Sequence, residues 1–382
     1  MKLRMPSMPP ASYIATVILA AVFLVLGNRA AGRGVFAEGE AELIRARTLR
    51  VVSVEEDRYS DEDDSLVLTT VTFEAKALGG RLKGMTLRCV QQLDSVYGLA
   101  LPRVKARDTV LLDVQKIDGA SSYVLCDFVR TTPLILLGLL FAVLLVISGR
   151  RKGADTLLSF VFSILAIFLV LVPALLSGRN IYLWSLLICA YIVVTNLLIV
   201  QGPSPKSLAA ALGCLGGVLC AGAVMLLANR PMHITGLMEE ESIYLKAMGI
   251  DIRATVFCMI LIGSVGALMD VAMDIAAALY ELRRGSPGIQ PKELARAGRG
   301  IGQDLIGTMA NTLVLAYIGE SMGFLLVTIQ YAPNATYMVN REAIAVAILQ
   351  CLAGVLSVLA VVPLTSFFCS LLYTGKPKTV NY

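Results

Sequence analysis

The chain has 382 residues, 57% of them hydrophobic and 16% charged, with a mean hydropathy of +0.74. Soluble globular chains hold about 25% charged and 45–50% apolar residues, so this composition excludes a soluble enzyme, a disulfide-rich toxin and a disordered chain. It marks a membrane protein. The formal charge of +5 fits basic cytoplasmic loops and implies no nucleic-acid partner.

Lys2 and Arg4 precede an apolar stretch at 11–27, and Asn28-Arg29-Ala30-Ala31 is a poor signal-cleavage site. Residues 1–28 are therefore read as a retained anchor. Residues 29–131 are polar and read as β, with short β-branched runs at 51–54, 65–73, 85–90, 109–114 and 123–128 separated by Gly, Asp and Lys. Five such strands imply a small OB-like barrel or a sandwich. Cys89 and Cys126 lie in this segment, and they are the one pair available for a disulfide if it is exported. The acids Glu55-Glu56-Asp57 and Asp61-Glu62-Asp63-Asp64 lack the Gly and spacing of a calcium loop and read as a solvated hairpin tip.

Residues 132–382 form the membrane domain. A helix needs about 20 apolar residues to cross a bilayer, and further runs of that kind lie at 133–149, 154–176, 181–200, 207–228, 253–280, 303–331 and 342–373. With the anchor they make about eight transmembrane helices. The connections alternate in charge. One set holds thirteen Lys and Arg, among them Arg150, Arg151, Lys152, Arg283 and Arg284, and the other holds five beside Glu239-Glu240-Glu241. That imbalance places both termini in the cytoplasm and residues 29–131 outside.

Ionisable residues inside spans mark function by default, and they concentrate in the sixth and seventh. Asp270 and Asp274 stand four apart on one helical face, with Gly263 and Gly266 nearby for close helix packing. Two like charges there hold a cation between them or share a proton. Asp304, Thr308 and Asn311 recur at helical spacing in the seventh span, with Gly307 among them and Gly319 beyond. Such oxygen ligands suit a hard cation or a proton relay rather than zinc or copper. At about 1.5 Å per residue, a span entering near Ala254 reaches its far boundary around Asp274. These carboxylates therefore also read as lying at the cytoplasmic interface in reach of water, and Asp304 as an ordinary contact with a helix N-terminus. Gly319-Glu320-Ser321-Met322-Gly323 interrupts the seventh run, as either a broken helix or a brief loop before a short interfacial piece. His233, the only histidine, cannot anchor a multi-histidine site, and no phosphate-binding loop is present. No cofactor and no enzymatic activity is expected.

The runs Gly266-Ala-Leu-Met-Asp270-Val-Ala-Met-Asp274, Asp304-Leu-Ile-Gly307-Thr308-Met-Ala-Asn311-Thr312 and Leu315-Ala-Tyr317-Ile-Gly319 resemble the YibE/F family of bacterial multipass membrane proteins. The resemblance extends over nearly the whole chain, including Gly80-Arg81-Leu82-Lys83-Gly84, and Glu320 departs from it. It implies fold and location in the bacterial cell membrane rather than a defined activity. The reading that follows is a permease-like protein with a polar path for a cation, proton or small solute between helices six and seven. The alternative is an envelope scaffold or sensor whose exported domain binds a ligand or partner. The expected partners are the lipid bilayer, a cation or small solute, and an envelope protein or a second copy of the chain.

Overall fold

A computed structural model describes residues 10–32, 43–61, 64–80, 82–94, 102–117, 120–238 and 240–374. The chain divides into two compact units, Phe36–Leu144 and Met1–Val35 with Leu145–Tyr382. The anchor thus belongs with the later helices rather than standing apart.

The smaller unit holds five strands, β1 (Leu43–Asp61), β2 (Asp64–Ala77), β3 (Thr86–Asp94), β4 (Thr109–Ile117) and β5 (Ala120–Phe128). They close into a barrel in the order β1-β2-β3-β5-β4, antiparallel except for β3 with β5. The barrel reading holds and the sandwich does not. Alternation builds it: Val71, Phe73, Ala75 and Ala77 of β2 and Leu87, Cys89 and Leu93 of β3 point inward, as a period of two requires. Buried Gln91 is satisfied on both sides, donating to the Pro102 carbonyl at 3.0 Å and accepting from the Val104 amide at 2.9 Å. It pins the connection before β4 to the barrel wall.

Inward and outward parity also corrects the cysteine pairing. Cys89 is buried inside the barrel and Cys126 is exposed on its exterior, and both thiols are free. Two side chains on opposite faces of a sheet cannot bridge. Of the acidic tip, Glu62 and Asp63 lie outside the described residues; β1 and β2 pair as far as Asp61 with Asp64, as a hairpin requires.

Among the described residues, six helices are long and apolar enough to cross a membrane, and a bent pair makes seven. They are α1 (Pro10–Ala31), α2 (Thr131–Ala166) running on through a π-helical turn into α3 (Val172–Leu176), α4 (Ile181–Gln201), α5 (Pro205–Met232), α7 (Ile252–Gly285) and α11 (Glu342–Thr374). The bent pair is α8 (Pro291–Glu320) with α9 (Met322–Tyr331). Short helices α6 (Glu240–Ala247) and α10 (Ala335–Asn340) lie in the connections. The run from Thr131 to Leu176 is not one rod, because Arg150 has φ 50° and ψ −126°. Gly153 there sits so tightly against the Leu145 carbonyl that a Cβ would collide with it.

The helical unit is built around α11. Gly213 and Gly217 of α5 abut Thr365 and Val361, while Gly298 and Gly302 of α8 abut Ser366 and Val362. Each pair is spaced four residues apart, the Gly-x-x-x-Gly spacing that lets membrane helices approach backbone to side chain. α7 completes this centre, with Leu268 against Gly217 and Phe257 against Gly222. α1 joins the unit through Phe23, stacked on Tyr191 at 4.3 Å, and the Tyr191 hydroxyl donates to the Ala20 carbonyl at 3.2 Å. Tyr13 donates to Asp155 at 2.9 Å.

A side chain added at these glycines must displace α11. Gly302→Val should destabilise the protein by about 1–3 kcal/mol through overpacking, whereas Gly138→Val, where nothing lies within 4 Å, should stay within about 0.5 kcal/mol. Thermal unfolding of the two purified variants in detergent reads the difference, and equal melting would contradict this packing.

Candidate functional site

The acids of α7 lie opposite its packed face. Val265, Leu268, Val271, Ala272, Ile275 and Ala276 are buried, while Gly263, Gly266, Asp270 and Asp274 are exposed on the other side. α8 is arranged alike: Leu294, Gly298, Gly302, Leu313 and Tyr317 are buried, while Asp304, Gly307, Thr308, Asn311 and Gly319 are exposed. Both predicted stripes are therefore real faces of helices. Neither turns into the core of the single chain.

Two fixed points set the level of one stripe against the other. A Cβ at Gly263 would lie 2.7 Å from the Tyr317 hydroxyl, and Leu279 abuts Gly298. Antiparallel helices rise equally per residue. Counting from either point, Asp270 stands level with residues 307–310 and Asp274 with residues 303–306. Asp270 is thus level with Thr308, one residue short of Asn311, and Asp274 is level with Asp304. The polar residues form two tiers, one of a carboxylate with a hydroxyl and an amide, the other of two carboxylates.

Few partners exist inside the chain. Thr308 donates to the Leu305 carbonyl at 3.0 Å and Thr312 to the Thr308 carbonyl at 2.9 Å. Among the described residues no hydrogen bond or ion pair joins Asp270, Asp274, Asp304 or Asn311 to another group. Acids within a span are costly and face a partner or a cavity by default. Asp270 stands well inside α7, while Asp274 and Asp304 lie toward the ends that carry Arg283, Arg284 and Arg299. The Tyr317 hydroxyl, buried beside Gly263, also lacks a partner. Gln303, exposed on α8 beside Asp304, and buried Tyr317 are polar members to which the sequence assigned no role. The four-residue spacing of Gln303 to Gly307 and of Leu313 to Tyr317 was the available signal.

Several expectations change. Asp304 is not a helix cap: α8 begins at Pro291, capped by Gln290 whose amide reaches Glu293 at 3.4 Å, and Asp304 lies well beyond the first turn, where the dipole effect fades. Among the described residues Gly266, Gly307 and Gly319 have nothing within 4 Å of an added Cβ, while Gly263, the fourth expected packing glycine, meets Tyr317. The seventh span does break at Ser321, with a 62° bend between α8 and α9. α8 alone is about 45 Å long, more than the hydrocarbon core, so the break falls at the far end of the span rather than at its middle. His233 is exposed and takes the left-handed C-cap position of α5, with φ 50°.

Elsewhere the fold has its own fastenings and hollows. Glu342 at the start of α11 accepts from the Thr235 amide at 2.6 Å, the Thr235 hydroxyl at 2.7 Å and the Gly236 amide at 2.5 Å. That carboxylate clamps the loop after α5. A cavity of about 520 Å³ is lined by Val194, Leu198, Pro203, Leu208 and Leu372, and another of about 550 Å³ by Gly32, Leu176, Arg179 and Met248. Neither touches the two tiers. Among the described residues no three His, Cys, Asp or Glu side chains gather as a metal site.

Comparison with known proteins places this constellation in a family. No curated protein and no solved structure matches the chain. The YibE/F-like proteins match over residues 137–375, a stretch that holds both tiers and all of α4 to α11, and it begins after the barrel rather than reaching over nearly the whole chain. The chain belongs to the YibE/F-like family.

Proposed function

We propose that the protein is a permease-like component of the bacterial cell membrane in which the α7 and α8 tiers carry a cation, a proton or a small solute coupled to one. The observation that supports this most is the levelling of Asp270 with Thr308 on neighbouring helices, with Asn311 one to four residues farther along α8. Acidic and amide oxygens within about one helical turn are what a dehydrated cation or a relayed proton needs. Asp274 and Asp304 form the next step toward the basic end of α7, where Arg283 and Arg284 lie. In proteoliposomes loaded with a pH- or cation-sensitive dye, Asp270→Asn should lower flux about tenfold or more. Wild-type protein without flux, or a variant with wild-type flux, would sink the reading.

The same proposal carries the topology. Dividing the long run at Arg150 gives eight crossings, both termini cytoplasmic and the barrel outside. Cys126 offers the test, since it is exposed. A membrane-impermeant maleimide added to spheroplasts should label the wild type and lose that label in Cys126→Ser. Cys89 should stay unlabelled: burial pushes its thiol up to about 12, so the reactive thiolate is scarce at neutral pH. Labelling of Cys126 only after the membrane is opened would reverse the orientation.

A second reading, the scaffold or sensor, is favoured by one feature of the barrel. Val51, Val52 and Val54 of β1 are exposed together, an apolar patch of the kind that meets partners. Removing the barrel should then abolish function entirely, whereas a permease retains basal flux.

A further inference from the structure

The outward face of α7 and α8 poses a problem that transport alone does not solve. In the single chain Asp270, Asp274, Asp304 and Asn311 stand on the bare surface of α7 and α8, and within the hydrocarbon such groups meet lipid tails that offer no hydrogen bond. Acids within spans face a bundle interior, a watery cavity or a partner. Gly266, Gly307 and Gly319 on the same face have open space where a Cβ would be, room for another backbone. At its outer end the Tyr317 hydroxyl, in a side chain only 7% exposed, abuts Gly263 without an acceptor.

We propose that this face is an interface between two copies of the chain, packed about a two-fold axis along the membrane normal so that α7 of each lies against α8 of the other. Such an axis preserves depth, so the levels found within one chain also hold between copies. The face is complementary to itself, as an isologous contact demands. Asp270 brings acceptors to within about one helical turn of the level at which the partner's Asn311 offers amide donors. Asp274 arrives level with the partner's Asp304, two carboxylates that share a proton or hold a cation between them. Each site is then incomplete in one chain and closed by two. A different protein would have to supply donors and acid in that same order, whereas a second copy supplies them by symmetry. The interface stands whether or not it conducts.

Cross-linking in native membranes tests it on the full chain. The double variant Gly266→Cys/Leu315→Cys, treated with a short membrane-permeant bismaleimide, should give at least tenfold more covalent dimer than the wild type. Gly266→Cys/Leu219→Cys, whose second site is exposed on α5, should not. Light scattering of the wild type in mild detergent should give twice the chain mass of 40.9 kDa. A single-chain mass with no cross-link overturns the proposal, and so does a two-chain mass in which the α5 control links as well as the α7/α8 pair. Flux lost in Asp270→Asn while the cross-link persists separates this interface from the transport reading.

Discussion

The close approach of α5 and α8 to the two sides of α11 governs the helical unit. Lipid tails are as apolar as leucine, so no hydrophobic force draws membrane helices together, and contact must come from packing. Glycines at 213 and 217 receive Thr365 and Val361, and glycines at 298 and 302 receive Ser366 and Val362. Neighbouring residues of α11 alternate between the two partners. Because both contacts use the same six residues of α11, the angular positions of α5 and α8 are set together. α7 then lies over the same centre through Leu268 and Leu279. That arrangement commits one side of α7 and α8 to the core and leaves the other side bare.

Much of this was legible. Runs of apolar length gave the helices, the charge at 150–152 fell where Arg150 departs from helical angles, and the glycine pair around Glu320 fell where α8 bends into α9. The helical spacing of Asp270 with Asp274, and of Asp304, Thr308 and Asn311, correctly gave one face each. What spacing cannot give is which way a face turns. A glycine beside an acid looked like a packing glycine, yet among the described residues Gly266 and Gly307 meet nothing within 4 Å, and the working pairs are glycines 213, 217, 298 and 302. Their four-residue spacing was visible, but their partners Val361 to Ser366 are more than fifty residues away in sequence. In the barrel, too, the strands were expected and the parity was not. Cys89 counts inward from Phe73 and Val71 through pairing with β2, while Cys126 is the residue skipped where Leu111 pairs with Asp127 and Leu112 with Leu125, so its outward position depends on tertiary register.

The bare face is informative because of what the core face excludes. Among the described residues no Asp, Glu, Lys, Arg or His is buried on α7 or α11. Serines and threonines there are mostly satisfied locally, as when Ser264 donates to Leu261, Ser357 to Gly354 and Ser366 to Val362. Carboxylates cannot be satisfied that way, since an ionised acid only accepts and helical carbonyls do not donate. Their partners must come from water, a bound cation, a proton or another chain. The segregation of hydroxyls inward and carboxylates outward is therefore a physical sorting by what each group can pair with inside a helix.

Pro363 connects the packing to the site. It lies between Val362 and Thr365, within the turn of α11 that α5 and α8 clasp. Lacking an amide hydrogen, it leaves the Leu359 carbonyl without its intrahelical donor and weakens the helix there. Elsewhere that is a point of bending; here glycines on two neighbours press against the residues on either side of it. The weakest turn of the central helix is thus its most tightly held one. Any shift of α8 along α11 must move Gly298 and Gly302 past Ser366 and Val362, and the same shift changes the level of Asp304, Thr308 and Asn311 relative to α7. The alignment of the two tiers is consequently set not by the polar residues themselves but by two glycines and the side chains that fill them.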